Sequence, residues 1–374
     1  MRNREYQSFV TDHSSKVSPK NKRKFYSSLI PENIKTIYRL VKIYYGENAH
    51  SVFEQWQEFK RLLGYIFYSA SCARDKNYDI SIGIDSCGII ASHISSFFSP
   101  FKATYFWSLE ITESKQYKLL MILVKAFESM GHKSSNFLIS QDKKRAQALC
   151  RINNVNFTGS RFFSVPHSKE MTVSIYKFDF FRKKFGLKKS DVIILHAGWI
   201  HDIMDSHNLA KSANSWPTKL KLIFHERMKR SRSEPYIKKV IQLGGTATFF
   251  SLNPVTYDRL EEIITSADIG IVNYKTETGE ASWENLTKAT GKLADYLSCG
   301  LPVICSNFEG AEELFSKYKC GEVFKSYDEI PSKVQSILLN YDQYKKNAFN
   351  CFEKEYKFSK YFLPVLHSME SLNS

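Results

Sequence analysis

The segment TGKLADYLSCGLPVICS, residues 290–306, predicts a helix that is followed at once by a buried strand. The helix is expected to begin at Gly291 and to end at Gly300, because glycine commonly stands just past the end of a helix. The apolar run at 302–306 is typical of a strand whose two faces are both covered. Such a strand belongs to a parallel sheet flanked by helices, so this segment predicts an α/β domain.

The start of this helix carries residues that suit a phosphate. Backbone N–H groups at a helix N-terminus are unpaired, and the helix dipole places positive charge there. Thr290 and Gly291 stand at that end, Gly291 allows close approach of a ligand, and Lys292 adds a cation. Asp295 follows one turn later, where its carboxylate could accept two hydroxyls of a ribose. The alternative is a plain capping residue with an ordinary salt bridge between Lys292 and Asp295.

Short apolar runs alternate with helical stretches along most of the chain, which predicts two parallel sheets built from strand–helix–strand units. The first series fills 78–180 and the second 181–340, with a charged linker expected at 178–190. Residues 1–77 are basic and are predicted to be helical, and 341–374 are predicted to form a helical segment that packs back on the first domain. The predicted strands are 79–85, 103–109, 135–141 and 160–166 in the first domain, and 191–198, 219–226, 246–252, 267–274, 302–306 and 321–326 in the second.

Composition places the chain among ordinary globular proteins. Its 374 residues are 43% hydrophobic and 24% charged, which excludes a disordered chain and a coiled-coil rod. No run of about 18 apolar residues occurs, and the N-terminus lacks the apolar core of a secretory signal. The seven cysteines are dispersed, without the C-x-x-C spacing of a metal site, and indicate reduced thiols in a cytoplasmic protein.

The formal net charge of +15 predicts an anionic partner, which could be a membrane surface, a nucleic acid or a phosphorylated ligand. Residues 1–77 hold 14 Lys and Arg against 7 Asp and Glu. Within them a basic cluster at 20–24 precedes four aromatic and aliphatic residues, Phe25, Tyr26, Leu29 and Ile30. This pattern suits an anionic lipid surface and predicts peripheral attachment at the cytoplasmic face of a membrane. The alternative is a solvated tail.

The pattern KLADYLSCGLPVI, residues 292–304, resembles the signature K-L-x-E-Y-x-x-x-G-x-P-V-I of retaining nucleotide-sugar glycosyltransferases with the GT-B fold. The resemblance extends from about Asp79 to the C-terminus and rests on several further pieces. These are ADIGIV at 267–272, HAG at 196–198, QDKKRA at 141–146 and FFSVPHS at 162–168. The family implies two facing Rossmann-like domains, here with an incomplete first domain that is preceded by helices.

The resemblance implies sugar transfer from a nucleoside diphosphate donor to a saccharide or lipid-linked acceptor, in polysaccharide or glycoconjugate biosynthesis. It implies that Thr290, Gly291 and Lys292 bind the diphosphate and that Asp295 binds the ribose. The other implied donor-site residues are Gly198 at the first turn of the second domain, Asn253 and Tyr257 beside the base, and the loop from Glu277 to Asn285 facing the sugar. Neither a cofactor nor a metal is expected, since Lys292 and the helix end can take the charge of the diphosphate.

Two carboxylates are candidates for catalysis on the acceptor side. Asp85 ends the first predicted strand and Glu110 follows the next one, so both lie at the carboxyl edge of the sheet, where ligands bind. Each could hydrogen-bond an acceptor hydroxyl or assist proton transfer. The alternative for both is helix capping or a solvated loop position.

The chain departs from the family pattern near the donor. Asp295 stands where the family usually has Glu, and Thr287 stands where it has an earlier Glu. The cations that often follow the glycine turn are replaced by the segment 199–201, WIH. The nearest later cations are Lys211 and the basic run 227–232, and such a run is more typical of a solvated surface.

Residues 1–77 contain no opening strand and no glycine-rich turn, which leaves a second class of function open. In that alternative the chain is a non-catalytic relative that keeps the donor domain for binding or as a scaffold. A third alternative, nucleic-acid binding, rests on charge alone, because the sequence has no zinc pattern, RNP-like motif or helix-turn-helix signal.

Overall fold

The computed structural model describes residues 49–76, 78–111, 119–170, 176–275 and 286–372. The chain divides into two compact units, 1–65 and 66–374, and the second unit holds both sheets. Helix α1 (Ala49–Lys76) contributes residues to each unit. The basic cluster at 20–24 lies outside the described residues. No helix in the described part of the chain is long and apolar enough to cross a membrane.

The first sheet has four strands, and each pairs in parallel with the next one along the chain. Its strands are β1 (Ile80–Ile84), β2 (Ala103–Trp107), β3 (Phe137–Ser140) and β4 (Phe162–Ser164). The helices that alternate with them are α2 (Asp85–Ser96), α3 (Leu119–Ser134) and α4 (Lys143–Ile152). Each strand lies within the range that the sequence predicts for it.

The second sheet has six parallel strands in the order β10-β9-β8-β5-β6-β7. The strands are β5 (Val192–Ala197), β6 (Leu220–His225), β7 (Thr248–Ser251), β8 (Ile269–Val272), β9 (Val303–Ser306) and β10 (Gly321–Phe324). The helices are α5 (Phe180–Phe185), α6 (Ser206–Ser212), α7 (Pro235–Gly244), α8 (Leu260–Thr265), α9 (Gly291–Ser298), α10 (Ala311–Tyr318), α11 (Ile330–Leu339), α12 (Tyr341–Glu355) and α13 (Phe358–Glu370). Strand order reverses between β5 and β8, and the crevice at the carboxyl ends of strands beside such a switch point is where α/β sheets bind ligands.

Residues 290–306 form α9, a glycine turn and β9, as the sequence predicts. Tyr296 attaches α9 to the sheet, because its hydroxyl accepts the Ala197 N–H at 2.7 Å and donates to the Leu195 carbonyl at 2.9 Å. A methyl group on Gly270 in β8 would lie 2.4 Å from the Tyr296 ring, so the ring needs a glycine there. This packing fixes the start of α9 beside the end of β5.

The segment 178–190, which its charge predicts to be a linker between the domains, is partly helical. It contains α5, and Phe181 in that helix is fully buried in the core of the second domain. The Arg182 guanidinium pairs with Asp268 at 2.8 Å and donates to the Asp191 carbonyl at 2.9 Å. This short helix also contains Arg182, Lys183 and Lys184, so its sequence does not show a clear apolar side.

The last helix, α13, packs against the first sheet. Val365 is fully buried in the same cluster as Tyr105 of β2. The Tyr105 hydroxyl lies 2.8 Å from Ser368 Oγ, and the Trp107 and Phe362 rings stack with centroids 5.5 Å apart. The chain therefore returns to the first domain after completing the second.

Candidate active site

A cavity of about 510 Å³ lies at the carboxyl ends of strands from both sheets. Residues that follow β2 and β4 line it from the first domain. Residues that follow β5, β6 and β7 line it from the second domain, together with the start of α9. The cavity thus occupies the crevice beside the switch point of the second sheet, where a ligand is expected.

This cavity brings together most of the residues that the sequence singles out. Those that line it are Glu110, Gly198, Tyr257, Thr290, Gly291, Lys292 and Asp295. Asp85 and Asn253 do not line it, and Glu277 and Asn285 lie outside the described residues. The cavity is also lined by residues that the sequence analysis did not place in the donor site, and these include Arg145, His167, Trp199 and Arg227.

The start of α9 is open toward the cavity. Thr290 has the extended backbone of an N-cap residue, but its side chain does not cap the helix. Its hydroxyl lies instead 2.8 Å from the Tyr274 hydroxyl. The alternative of a plain capping side chain is therefore wrong for Thr290, and the N–H groups of the first turn keep their capacity to bind an anion.

Lys292 extends along the floor of the cavity toward β5. Its Nζ lies 3.3 Å from His196 Nε2, 3.4 Å from Met204 Sδ and 5.4 Å from the centre of the Tyr274 ring. The side chain passes over Gly198, where a methyl group would lie 2.6 Å from Lys292 Cε. Gly198 also has a φ of +127°, so a side chain there would strain the backbone as well as displace the lysine.

The electrostatic environment of Lys292 favours an anionic ligand. Burial lowers its pKa to about 7, Arg227 contributes in the same direction, and Glu226 opposes them. Burial, together with Lys292, also holds the pKa of His196 well below its usual value, so this imidazole is neutral. The charged ammonium is therefore under-compensated in the free protein, and an incoming anion would stabilise it.

Asp295 points into the cavity from the next turn of α9 and pairs with Lys169 rather than with Lys292. Its Oδ1 lies 2.8 Å from Lys169 Nζ, and the two side chains are 27% and 13% exposed. Lys169 follows β4 and comes from the first domain, and its Nζ also lies 5.8 Å from the centre of the Tyr257 ring. The alternative of a salt bridge within α9 is therefore wrong.

Arg227 provides a second cation at the position where the segment 199–201 has none. Arg227 follows β6, which pairs with β5 in the sheet. The ends of these two strands are joined by a hydrogen bond in which the Gly198 N–H donates to the His225 carbonyl at 2.8 Å. The Arg227 guanidinium lies 5.4 Å from the centre of the Trp199 ring, a cation–π arrangement that holds it at the cavity. The basic run 227–232 is therefore more than a solvated surface, because its first member reaches the site.

Asp85 and Glu110 have different roles in the structure, although the sequence treats them alike. Asp85 Oδ1 accepts the N–H groups of Leu109 at 2.7 Å and of Glu110 at 3.0 Å. From the other side, Gln141 Nε2 donates to the Leu109 carbonyl at 2.7 Å and to the Ser108 carbonyl at 3.2 Å. Asp85 thus holds the loop that carries Glu110, and Glu110 itself faces the cavity.

Arg145 and His167 are site residues to which the sequence assigns no role. Arg145 is 2% exposed, and its Nε donates to Gln141 Oε1 at 2.9 Å. His167 contacts the residues that precede α9, with its N–H donating to the Lys288 carbonyl at 2.7 Å. Both lie within segments that carry the family resemblance, but only the packing of the two domains shows that they meet the cavity.

No group of three or more His, Cys, Asp or Glu side chains that could hold a metal ion occurs among the described residues. The charged groups that line the cavity are instead cations from both domains with Glu110 and Asp295. This arrangement suits a ligand that carries several negative charges and several hydroxyls.

Residues 250–362 match the family model described as the C-terminal domain of glucosyltransferase 3-like proteins. This match runs from the end of β7 to the first turn of α13, and therefore includes α9 and its N-terminal end at the cavity. A search of curated proteins by sequence found no match.

Solved structures share the architecture at low sequence identity. HepE from Anabaena, in a complex with UDP, has a TM-score of 0.63 at 12% identity, over 82% of each chain. Sucrose-phosphate synthase from Thermosynechococcus elongatus has a TM-score of 0.64 at 14% identity, over 84% of this chain and 78% of that one. A glycosyltransferase from Rickettsia africae has a TM-score of 0.60 at 13% identity, over 84% and 82%. The protein therefore has the two-domain GT-B fold of glycosyltransferases, and its C-terminal domain is similar to that of the glucosyltransferase 3-like family.

Proposed function

We propose that the protein is a glycosyltransferase that moves a sugar from a nucleoside diphosphate sugar to a saccharide or lipid-linked acceptor. One observation carries this proposal: Lys292, Arg227 and the open start of α9 meet Glu110 of the first domain in one cavity. Sugar transfer requires that the groups binding the donor diphosphate and the group binding the acceptor hydroxyl lie in the same cavity. Polysaccharide or glycoconjugate biosynthesis is the proposed setting.

The donor would lie along the second domain. The N–H groups of α9, Lys292 and Arg227 would bind the diphosphate, since each supplies positive charge without a metal. Asp295 would accept the ribose hydroxyls. The Tyr257 ring, which is 72% exposed at the cavity, would flank the base. Asn253 lies beside this region, and the loop from Glu277 to Asn285 would face the sugar.

Catalysis would consist of positioning and of charge stabilisation at the leaving group. The bond between the sugar carbon and the diphosphate oxygen breaks, and the electron pair goes to that oxygen, where Lys292 and the helix end receive the growing charge. The acceptor oxygen forms the new bond to the sugar carbon, and Glu110 would hydrogen-bond the acceptor hydroxyl and accept its proton as this bond forms. Asp85 would keep the loop that carries Glu110 in place. A binding or scaffold protein is not favoured, because such a role needs no carboxylate facing the phosphate-binding groups.

Turnover with labelled nucleotide sugars tests the proposal directly. HepE has been solved with UDP, with UDP and glucose, and with UDP-glucose, so uridine donors come first, followed by guanosine and adenosine donors. We expect one donor to release its nucleoside diphosphate faster in the presence of protein. Tight binding without release would favour the scaffold alternative, and no binding of any nucleoside diphosphate by the folded protein would refute both.

Peripheral attachment at the cytoplasmic face of a membrane is a further part of the proposal. The charge of residues 1–77 supports it, and so does α3, in which Lys125 and Glu128 form a buried ion pair at 2.6 Å. The outer face of α3 exposes four large apolar side chains, those of Ile122, Leu123, Phe127 and Met130. A helix with charges inside and apolar groups outside reverses the usual pattern of a water-exposed helix and indicates an apolar contact.

Sedimentation with liposomes tests this attachment. We expect the protein to sediment with anionic but not with zwitterionic vesicles at low salt, since each cation near an anionic surface contributes about 1 kcal/mol. Replacing Lys20, Lys22, Arg23 and Lys24 by Ser should reduce sedimentation. The matched control replaces the exposed Lys188, Lys189, Lys238 and Lys239 by Ser, which changes the charge equally. Equal sedimentation of the two variants, or none by the parent, would contradict the proposal.

A further inference from the structure

We propose that His167, which belongs to the first domain, binds the diphosphate of the donor opposite the start of α9. The inference rests on the proposed function, because it assumes that this crevice takes a nucleoside diphosphate. It adds that the phosphate site is shared between the domains, so that the acceptor domain contributes directly to donor binding.

The imidazole of His167 is oriented by a contact with the second domain. Its Nδ1 lies 3.2 Å from the Ala289 carbonyl, and because a carbonyl only accepts, Nδ1 carries the hydrogen. The opposite nitrogen, Nε2, faces the first residue of α9. A methyl group on Gly291 would lie 3.5 Å from Nε2 and 3.6 Å from each adjacent ring carbon. The ring edge and the helix start thus face each other across a short gap that Gly291 keeps open.

The segment 165–170 is attached to the rest of the structure at His167 and at the residues that follow it. The His167 N–H donates to the Lys288 carbonyl, and Lys169 pairs with Asp295. Glu170 accepts the Ser359 N–H at 2.8 Å and its hydroxyl at 3.2 Å. The imidazole is therefore held over the helix start before any ligand arrives, and binding a phosphate there requires little rearrangement.

The surroundings of His167 carry more positive than negative charge. The titratable groups around it are Lys169 and Glu170 on its own segment, Lys288, Lys292 and Asp295 on and before α9, and Glu110, Arg145, Arg227 and Tyr257 across the cavity. Among them the cations outnumber the carboxylates, which favours an anionic ligand beside the ring. In its imidazolium form His167 carries a hydrogen on Nε2 as well as on Nδ1, and Nε2 would then give a phosphate oxygen a charge-assisted donor.

Calorimetry with UDP, UMP and uridine on the full chain separates this role from a structural one. We expect His167→Ala to weaken UDP binding about tenfold, to weaken UMP less, and to leave uridine unchanged. His167→Gln, which keeps a side chain of similar volume that cannot carry a positive charge, should also weaken UDP binding more than UMP binding. If the parent prefers adenine or guanine, the corresponding adenosine or guanosine series replaces the uridine one.

His367→Ala is the matched control, because His367 is an exposed histidine that does not line the cavity. It should leave UDP affinity unchanged. An unchanged UDP affinity in His167→Ala would overturn the proposal, and so would an equal loss for uridine or an equal loss in His367→Ala. If the parent binds no nucleoside diphosphate at all, the proposed function fails first, and that result is distinct from each of these.

Discussion

Replacing Lys292 by Met is expected to slow sugar transfer by about 10²- to 10³-fold, the usual cost of removing one preorganised group that stabilises a developing charge. Donor affinity should fall by less, about tenfold at most, because negative charge on the diphosphate grows as the sugar departs. Lys292 is placed for this role, since its Nζ lies beside His196 and above Gly198 at the start of α9.

Single-turnover rates and equilibrium binding, measured on the same preparation, separate these two effects. Lys211→Met serves as the control, because Lys211 is an exposed lysine outside the cavity and should leave both quantities unchanged. An equal loss in rate and in affinity would mean that Lys292 contributes only to ground-state binding.

The lowered pKa of Lys292 provides a second test of its role, which also uses the Lys292→Met variant. Burial lowers this pKa to about 7, so at about pH 8 most of the free protein carries a neutral Lys292. A bound diphosphate favours the charged form and raises the pKa, so donor binding at that pH should take up a proton. Calorimetry in buffers of different protonation enthalpy measures the uptake. Lys292→Met should remove part of it, and an unchanged uptake would contradict the assignment.

The architecture is visible in the sequence because parallel strands are covered on both faces. Runs such as 192–195 and 269–272 are apolar throughout, and helical stretches separate them, so the pattern gives the number of strands and their places along the chain. In the predicted linker 178–190 the same pattern misses a short helix. Helix α5 is only six residues long, so it is too short to show a helical repeat of apolar residues. Its one fully buried side chain, Phe181, stands close to the charged residues Asp179, Arg182, Lys183 and Lys184.

The site is less visible than the fold, because it depends on which loops become neighbours. Arg227 lies 28 positions after Trp199 in the chain, yet the pairing of β5 with β6 brings its guanidinium over that ring. Lys169 and Asp295 are still further apart in sequence and meet only because the segment after β4 crosses to α9. Local spacing finds Lys292 and Asp295, which share a helix, but it gives no information about the cations that face them.

The same limit explains Asp85. Its place at the end of β1 predicts a side chain at the crevice, but its φ of +51° turns it toward the backbone of Leu109 and Glu110. The left-handed conformation is tolerated by Asp more readily than by most residues, and the two N–H groups that it binds stabilise it. A carboxylate at the correct edge of the sheet can thus position another carboxylate instead of meeting the substrate.

Replacing Asp295 by Ala is expected to weaken nucleotide-sugar binding by about 1–3 kcal/mol, the size of a charge-assisted hydrogen bond in a partly buried site. The loss has two sources in this structure, because the variant removes the acceptor of the ribose hydroxyls and also leaves Lys169 without its partner. Calorimetry on Asp295→Ala, Lys169→Met and the double variant separates them. The coupling energy of the two residues is the difference between the loss of binding free energy in the double variant and the sum of the losses in the two single variants.

The proposed role of Asp295 in binding the ribose is tested by a change in the ligand. A 2′-deoxynucleotide should bind the parent protein more weakly than the ribonucleotide, because one hydroxyl that donates to the carboxylate is missing. In Asp295→Ala the two nucleotides should bind alike, since the acceptor is gone. Lys169→Met is the control for this comparison: it perturbs the same ion pair but keeps the carboxylate, so it should preserve the preference for ribose. If Asp295→Ala discriminates between the two nucleotides as well as the parent does, the carboxylate pairs with Lys169 alone and some other group holds the ribose.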